Sequence, residues 1–223
     1  MNLLSIDTIA FTLLGYSMSY IELVGTVLYL WSVWLIARRN ILTWPVGIVS
    51  VFLYMILFYQ IQLYSDVIEQ IYYLGASVYG WWLWRRSPKG EGKTIGMDFS
   101  PRRTLLLTVG LTLMLSLLTG WLIADIHNLL PRLFPVPASF PYLDALTTVM
   151  SFVAMWLMAR KRTESWYYWI VVNIIGIGLY YAKDVKLISL LYVILLFLAF
   201  RGLSEWRRTQ ARSLLAAPAT DAS

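Results

Sequence analysis

Seven apolar stretches, each close to the length that crosses a bilayer as a helix, constrain this chain more than any other feature. They fall at residues 21–37, 44–59, 64–84, 104–123, 142–159, 165–182 and 187–203. About 20 apolar residues span the hydrocarbon of a membrane as helix. Lipid offers no partners to backbone N–H and C=O groups, so a spanning segment must satisfy them within itself. Only 13% of the residues are charged and mean hydropathy is +0.66, whereas soluble domains carry about a quarter charged residues. The expected fold class is an all-α polytopic membrane protein with seven transmembrane helices. Residues 1–20 mix Leu3, Leu4 and Phe11 with Ser5, Asp7, Thr8 and Thr12, and predict a short interfacial helix. Asp7 interrupts the first apolar run, so no cleavable signal is expected. Residues 209–223, basic and then rich in Ala, Ser and Thr, are expected to be a disordered cytoplasmic tail.

Charge sets an orientation. With seven spans, the ends of the first, third, fifth and seventh share a face with the loop between the third and fourth. That face collects Arg38, Arg39, Arg85, Arg86, Arg160, Lys161, Arg162 and others, 15 of the 18 Lys and Arg residues. The opposite face holds Arg132, Lys183 and Lys186. The positive-inside rule makes the first face cytoplasmic, with the N-terminus outside and the C-terminus inside. The net charge of +6 therefore follows the spans and does not indicate a nucleic-acid surface.

Sliding the chain by 122 residues aligns Glu22 to Arg86 with Asp144 to Arg208 without a gap, with 16 identities in 65 pairs. They include Trp34/Trp156, Arg38/Arg160, Trp44/Trp166, Leu57/Leu179, Gly80/Gly202, Trp84/Trp206 and Arg86/Arg208. Each repeat holds three spans, so the span at 104–123 restores the direction and makes the repeats parallel. The expected organisation is 3+1+3: residues 21–86, a connector at 104–123, and residues 142–208. Parallel repeats are one architecture of secondary transporters, with a substrate site near the midplane where repeats meet. Thr108, Thr112, Ser116 and Thr119 are the connector's main polar groups, and such hydroxyls can bond their own helix.

Residues matched between repeats suggest scaffold, and mismatches in polarity suggest function. Trp44/Trp166 and Trp84/Trp206 lie at span ends, where indoles anchor at the interface. Val51 is matched by Asn173, and Gln70 by Tyr192. Polar groups within spans are costly and default to a functional hypothesis, although a lone amide can simply bridge two helices. Asn173 shares a helical face with Trp169, Gly176 and Tyr180, and Asp66, Glu69, Gln70, Tyr73 and Ser77 form a comparable stripe. Two such stripes favour a lined cavity that hydrogen-bonds uncharged polar groups and stacks on a flat ring. Asp66 and Glu69 could accept from ribose hydroxyls, attract a cation, or simply line a hydrated vestibule. The chain has no cysteine. His127, its one histidine, is expected in a loop without nearby metal partners. No Walker loop, Ser/His/Asp arrangement or metal motif appears. No catalytic residue, metal or cofactor is expected.

Leu42-Thr43-Trp44-Pro45-x-Gly47-Ile48, Phe58-Tyr59-Gln60-x-Gln62-Leu63-Tyr64-x-Asp66, Gln70-Ile71-Tyr72 and Tyr79-Gly80-Trp81-x-x-Trp84 resemble the PnuC family of bacterial vitamin transporters. Trp166-x-x-Trp169-Ile170-x-x-Asn173, Leu179-Tyr180 and Leu190-Leu191-Tyr192 continue the resemblance in the second half. Asn173 departs from the family pattern, where many members have Asp. Lys183-Asp184-Val185-Lys186 departs from a more usual Lys-Gly-Leu-Tyr. The resemblance implies a seven-helix fold similar to the SWEET sugar transporters. It also implies import of nicotinamide riboside across the bacterial inner membrane by facilitated diffusion, with a cytoplasmic riboside kinase trapping the substrate. Asn173 and Gln70 would then hydrogen-bond carboxamide and ribose. Trp169, Tyr73 and Tyr192 would enclose the ring, beside Tyr180, while Gly176 and Gly178 allow close packing or bending. The alternatives are a carrier of another vitamin or nucleoside, such as thiamine or riboflavin, and a membrane enzyme using Asp66 and Glu69.

Overall fold

A computed structural model describes residues 2–13, 15–86, 97–130, 137–183 and 185–216. Among these, seven helices follow a short hairpin: β1 Ile9–Leu13, β2 Tyr16–Ser19, α1 Tyr20–Ala37, α2 Thr43–Gln60, α3 Tyr64–Arg85, α4 Arg102–Leu129, α5 Pro141–Ala159, α6 Ser165–Ala182 and α7 Lys186–Ala216. Five of them, α1, α2, α4, α5 and α7, are long and apolar enough to cross a membrane. The two that fall short, α3 and α6, carry the polar and aromatic stripes. The chain divides into two compact units, residues 1–96 with 204–223 and residues 97–203.

In the first unit, the expected N-terminal interfacial helix is instead an antiparallel hairpin that pairs Phe11 with Met18 and Leu13 with Tyr16. The alternation of apolar Ile9, Phe11 and Leu13 with Ala10 and Thr12 suits a strand. Gly15 supplies the left-handed turn residue, with φ +82. Gln60 ties this segment to the end of α2: its amide donates to the Leu4 carbonyl at 2.7 Å and accepts from Ile6 N–H at 3.1 Å. Burial, with a 2.6 Å hydrogen bond to Glu22, pushes the Tyr16 phenol up from its ordinary range. Ser19 caps α1 by accepting from Glu22 N–H. Hydroxyls then lace α1 to α2: Ser50 donates to the Gly25 carbonyl and Thr43 to the Ser32 carbonyl, both at 2.8 Å, and Thr26 bonds the Tyr54 hydroxyl at 2.7 Å.

The same local devices recur 122 residues apart. Helices α2 and α6 are both 18 residues long, and their bounds differ by that offset. Helix α1 ends with Arg39 in the left-handed region at φ +58, Arg39 N–H on the Ile36 carbonyl and Asn40 N–H on the Leu35 carbonyl. Helix α5 ends with Lys161 at φ +62, Lys161 N–H on Met158 and Arg162 N–H on Leu157. This pairing of the last carbonyls is the Schellman stop, built here on long cationic residues and not on glycine. The seat of the first helix-entry tryptophan recurs as well. Trp44 lies on Gly80, where a Cβ would come 2.4–2.7 Å from its ring, and Trp166 lies on Gly202 at 2.5–2.7 Å. Only glycine admits an indole that close. Trp84 meets Trp44 edge-on, with centroids 5.3 Å apart. These tryptophans are nearly fully buried, so they pack the units internally and do not anchor at the interface.

The end of α7 belongs to the first unit. Trp206 N–H donates to the Ile36 carbonyl at 3.1 Å, and Glu205 lies 4.0 Å from Arg39. Burial pulls the Arg39 guanidinium down from its ordinary range, Glu205 opposing and Arg212 adding to the shift. Helix continues to Ala216, so residues 209–216 are not the disordered tail expected; residues 217–223 lie outside those described. Arg207, Arg208, Gln210 and Arg212, good helix formers, carry the helix past the apolar run that ends at Leu203.

In the second unit, α4 runs to Leu129 and places His127 in its last turn, not in a loop. The apolar run ends near residue 123, but Ala124, Asp125, Ile126 and Asn128 do not stop a helix. Thr108, Thr112 and Ser116 donate to the carbonyls four residues before them at 2.7–2.8 Å, and Thr112 also meets the Tyr168 hydroxyl at 3.3 Å. Residues 97–100 strap the α5–α6 turn. Asp98 N–H donates to the Lys161 carbonyl, Thr163 N–H to the Asp98 carbonyl, and Ser100 N–H to the buried Glu164 carboxylate at 3.2 and 3.3 Å. Burial pulls the Lys161 ammonium down, with Asp98 opposing.

Candidate functional site

The expected site residues fall into two sets, one in each unit. In the first unit, α3 carries Asp66 in its first turn, then Glu69, Gln70 and Tyr73, all partly buried. Tyr73 meets Tyr72 edge-on, with ring centroids 5.7 Å apart. Ser77, one turn further on, is buried. Periods of three and four keep the set on one side of the helix, next to the polar end that holds α3 below the hydropathy of a simple span.

In the second unit, α6 places Trp169, Asn173, Gly176 and Tyr180 along one stripe. Tyr192 of α7 lies directly on Gly176: a Cβ there would fall 2.4 Å from Cδ1 and Cε1 of the Tyr192 ring. That close approach brings Tyr192 to Tyr180, stacked with centroids 5.3 Å apart and planes 23° apart. Gly178, expected to serve alongside Gly176, meets nothing within 4 Å, because it lies two residues on and faces away. Trp169 packs on the buried group of Ala154, Leu157 and Tyr168. Its role is at least partly structural.

Asn173 is the informative residue. The residue is 3% exposed overall; its carboxamide makes no hydrogen bond among the described residues, and its polar atoms are not among the fully buried ones left without a partner. One methylene-linked carboxamide offers two donors and two acceptor lone pairs, all available to a ligand.

Sequence reasoning missed the group beside Tyr180. Lys183 at the end of α6 bonds the Asp144 carboxylate at 3.0 and 3.2 Å, and its ammonium sits 5.9 Å from the Tyr180 ring centroid. The signal was present: Asp144 opens α5 as Glu22 opens α1, and Lys183 stands in the segment that departs from the family pattern. Among the described residues, no group of three or more His, Cys, Asp or Glu side chains could hold a metal.

In the second unit, Asn173 and the stacked phenols of Tyr180 and Tyr192 offer hydrogen bonds and aromatic faces to a planar polar molecule; in the first, α3 carries an amide and two carboxylates of its own. Comparison with known proteins agrees with that chemistry. The profile described as Nicotinamide mononucleotide transporter matches residues 19–208. The nicotinamide riboside transporter PnuC of Escherichia coli (strain K12) is 31% identical over 209 residues, covering 86% of this chain and 87% of that protein. The riboflavin/roseoflavin transporter RibM of Streptomyces davaonensis is 29% identical over 214 residues, covering 94% and 97%. A crystal structure of the vitamin B3 transporter PnuC superimposes with a TM-score of 0.66 at 25% identity, covering 86% of this chain and 83% of that one.

Proposed function

The chain belongs to the nicotinamide mononucleotide transporter family, the multi-pass membrane carriers that include PnuC, and from that membership we propose that it carries nicotinamide riboside. It is a transporter and not an enzyme, as its relatives are. The observation that carries the substrate proposal is Asn173, a buried residue on the Gly176–Tyr180 face of α6 whose carboxamide makes no hydrogen bond among the described residues. Nicotinamide riboside presents a carboxamide, a flat cationic ring and a ribose. Asn173 pairs its amide with the substrate carboxamide. The Tyr180–Tyr192 pair offers aromatic faces to the cation, an attraction of about 0.5–2 kcal/mol when desolvated. Gln70, Tyr73, Asp66 and Glu69 form the first unit's own candidate stripe for the riboside, where the carboxylates would accept from ribose hydroxyls.

The recurrence of helix ends and tryptophan seats at an offset of 122 supports a parallel 3+1+3 arrangement similar to the SWEET carriers. The distribution of Lys and Arg supports a cytoplasmic C-terminus in the bacterial inner membrane. No coupling ion is required in this proposal: transport is facilitated diffusion by alternating access, and a cytoplasmic kinase traps the riboside as its phosphate.

Riboflavin is the second reading, favoured by the RibM match across 94% of this chain. Uptake of labelled nicotinamide riboside and of riboflavin into proteoliposomes separates the two. Saturable riboside uptake that is lost in Asn173→Ala and Gln70→Ala supports the proposal. Wild-type uptake in both variants would remove the site assignment, and riboflavin uptake alone would replace the substrate.

A further inference from the structure

A groove of about 430 Å³ opens on one face of α3 near its end, lined by Val78, Trp81, Trp82, Arg85 and Arg86. These positions step by three and four, so they form a single helical stripe. Val78 and Trp82 are 51% and 47% exposed, and both arginines are exposed. The Arg86 guanidinium lies 4.1 Å from the Trp82 ring centroid, and that of Arg85 lies 5.8 Å from Trp81. Stacking on Trp82 holds the Arg86 guanidinium in place while leaving its N–H edge available, and Arg85 lies within cation–π range of Trp81. Among the described residues, neither arginine pairs with a carboxylate.

The offset of 122 tells which part of this groove is scaffold. Arg85 and Arg86 recur as Arg207 and Arg208, but Trp81 and Trp82 are replaced by Leu203 and Ser204. The buried Trp44 and Trp84 recur as Trp166 and Trp206, whereas Trp81 and Trp82 do not recur. Packing within a unit therefore does not require Trp81 or Trp82. Single exposed indoles and arginines are ordinary at a membrane interface; a groove with an apolar inner end and, at its outer end, two guanidiniums that pair with no described carboxylate is more selective. Its polarity runs in the sense of an amphiphile with an anionic head.

We propose that this groove binds one anionic phospholipid, with the headgroup phosphate on Arg85 and Arg86 and the upper acyl chain against Val78 and Trp82. The inference rests on embedding in a membrane, which family membership shows, and is independent of substrate and orientation. Arg85 and Arg86 act as a fork for phosphate oxygens, and Trp81 and Trp82 fix the fork at the level of the headgroup.

The test is native mass spectrometry of the full chain in detergent, titrated with phosphatidylglycerol or phosphatidylcholine. Wild type is expected to retain one phosphatidylglycerol in preference to phosphatidylcholine. Each arginine is worth roughly fivefold in that preference, so R85Q/R86Q loses on the order of tenfold or more. R102Q/R103Q, which removes the same charge at the exposed start of α4, keeps it. Trp82→Ala, at an exposed position, weakens retention without disturbing the melting temperature in phosphatidylcholine nanodiscs. No preference in wild type, or equal loss in R102Q/R103Q, overturns the proposal. Displacement of the lipid by equimolar inorganic phosphate also overturns it, because the site would then read phosphate alone.

Discussion

Alanine at Gly176 should impair transport without unfolding the protein, while alanine at Gly80 or Gly202 should do the reverse. At all three positions a helical glycine lies under an aromatic ring, and an added Cβ would fall 2.4–2.9 Å from ring atoms. Ordinary contact begins near 3.4 Å, so each ring must retreat by about 1 Å. The outcome depends on what can move. Trp44 and Trp166 are 2% and 1% exposed, enclosed on every side, and their displacement is overpacking at about 1–3 kcal/mol. The better helix propensity of alanine returns up to about 1 kcal/mol, leaving a net loss. Tyr192 is only partly buried and can swing outward, so Gly176→Ala is expected to be near neutral in stability. Its effect falls on the stack with Tyr180, worth about 0.5–1.5 kcal/mol, which predicts a roughly two- to tenfold rise in the apparent KM for riboside. Thermal melting of the purified protein and concentration-dependent uptake in proteoliposomes give the two axes. If Gly176→Ala melts like Gly80→Ala and leaves KM unchanged, Tyr192 is packing and the assignment of this stack to the site fails.

Asn173→Leu should melt no lower than wild type, and up to about 1 kcal/mol higher, because the amide it removes has no partner to lose; riboside uptake should nonetheless collapse, and a large loss of stability would show a hidden structural bond. Lys161 sits in a left-handed conformation that Asn tolerates better than other side chains, and burial lowers its ammonium from 10.5. The unfolded chain therefore binds the proton more tightly, and stability rises as pH climbs through the folded pKa toward 10.5. Lys161→Asn should flatten that rise and stabilise the protein at neutral pH, as followed by melting across a pH series. Glu164→Ala leaves Ser100 N–H without its buried carboxylate. A loss of about 1–3 kcal/mol, with faster proteolysis around residues 97–100, is expected. Asp144→Asn, by contrast, breaks an ion pair whose side chains are about one-third exposed. Melting should show less than about 1 kcal/mol of change.

Helix number and location were legible because lipid imposes them: an apolar run of sufficient length has few alternatives to helix. The helix ends were legible only by accident of charge. Arg38-Arg39 and Arg160-Lys161 were read as basic flanks, and the structure makes Arg39 and Lys161 the left-handed residues of the stops themselves. Nothing in a side chain that disfavours positive φ announces such a role. The hairpin at Ile9–Leu13 and Tyr16–Ser19 was misread because five alternating residues weigh little against a generally apolar segment. Helices α4 and α7 outran their apolar stretches, since hydropathy marks where the membrane ends and not where the backbone hydrogen bonds do. Lys183 and Asp144 were overlooked for a related reason: their pairing joins residues 39 apart in sequence.

The repeat is also what separates scaffold from candidate site, through a physical constraint on each pair of positions. A residue that seats Trp44 on Gly80 must do so again for Trp166 on Gly202, and the identities survive where the packing problem is the same. Tyr54 and Gly176 occupy matched positions with opposite solutions. In the first unit, Tyr54 fills the space itself, bonding Thr26 at 2.7 Å and stacking on Phe58 at 5.6 Å. In the second, glycine vacates that space and Tyr192, the counterpart of Gln70, enters from α7 to stack on Tyr180. An aromatic ring satisfies the helix face in both cases, but only the second delivers it from a neighbouring helix. Tyr54 is fixed by its own helix and a hydroxyl bond, whereas Tyr192 reaches the matched face from a neighbouring helix. The residue three before that glycine is Asn173, with its carboxamide unpaired. The divergence therefore brings Asn173, Gly176 and the Tyr180–Tyr192 stack to one face of α6, the set proposed above for a planar amide.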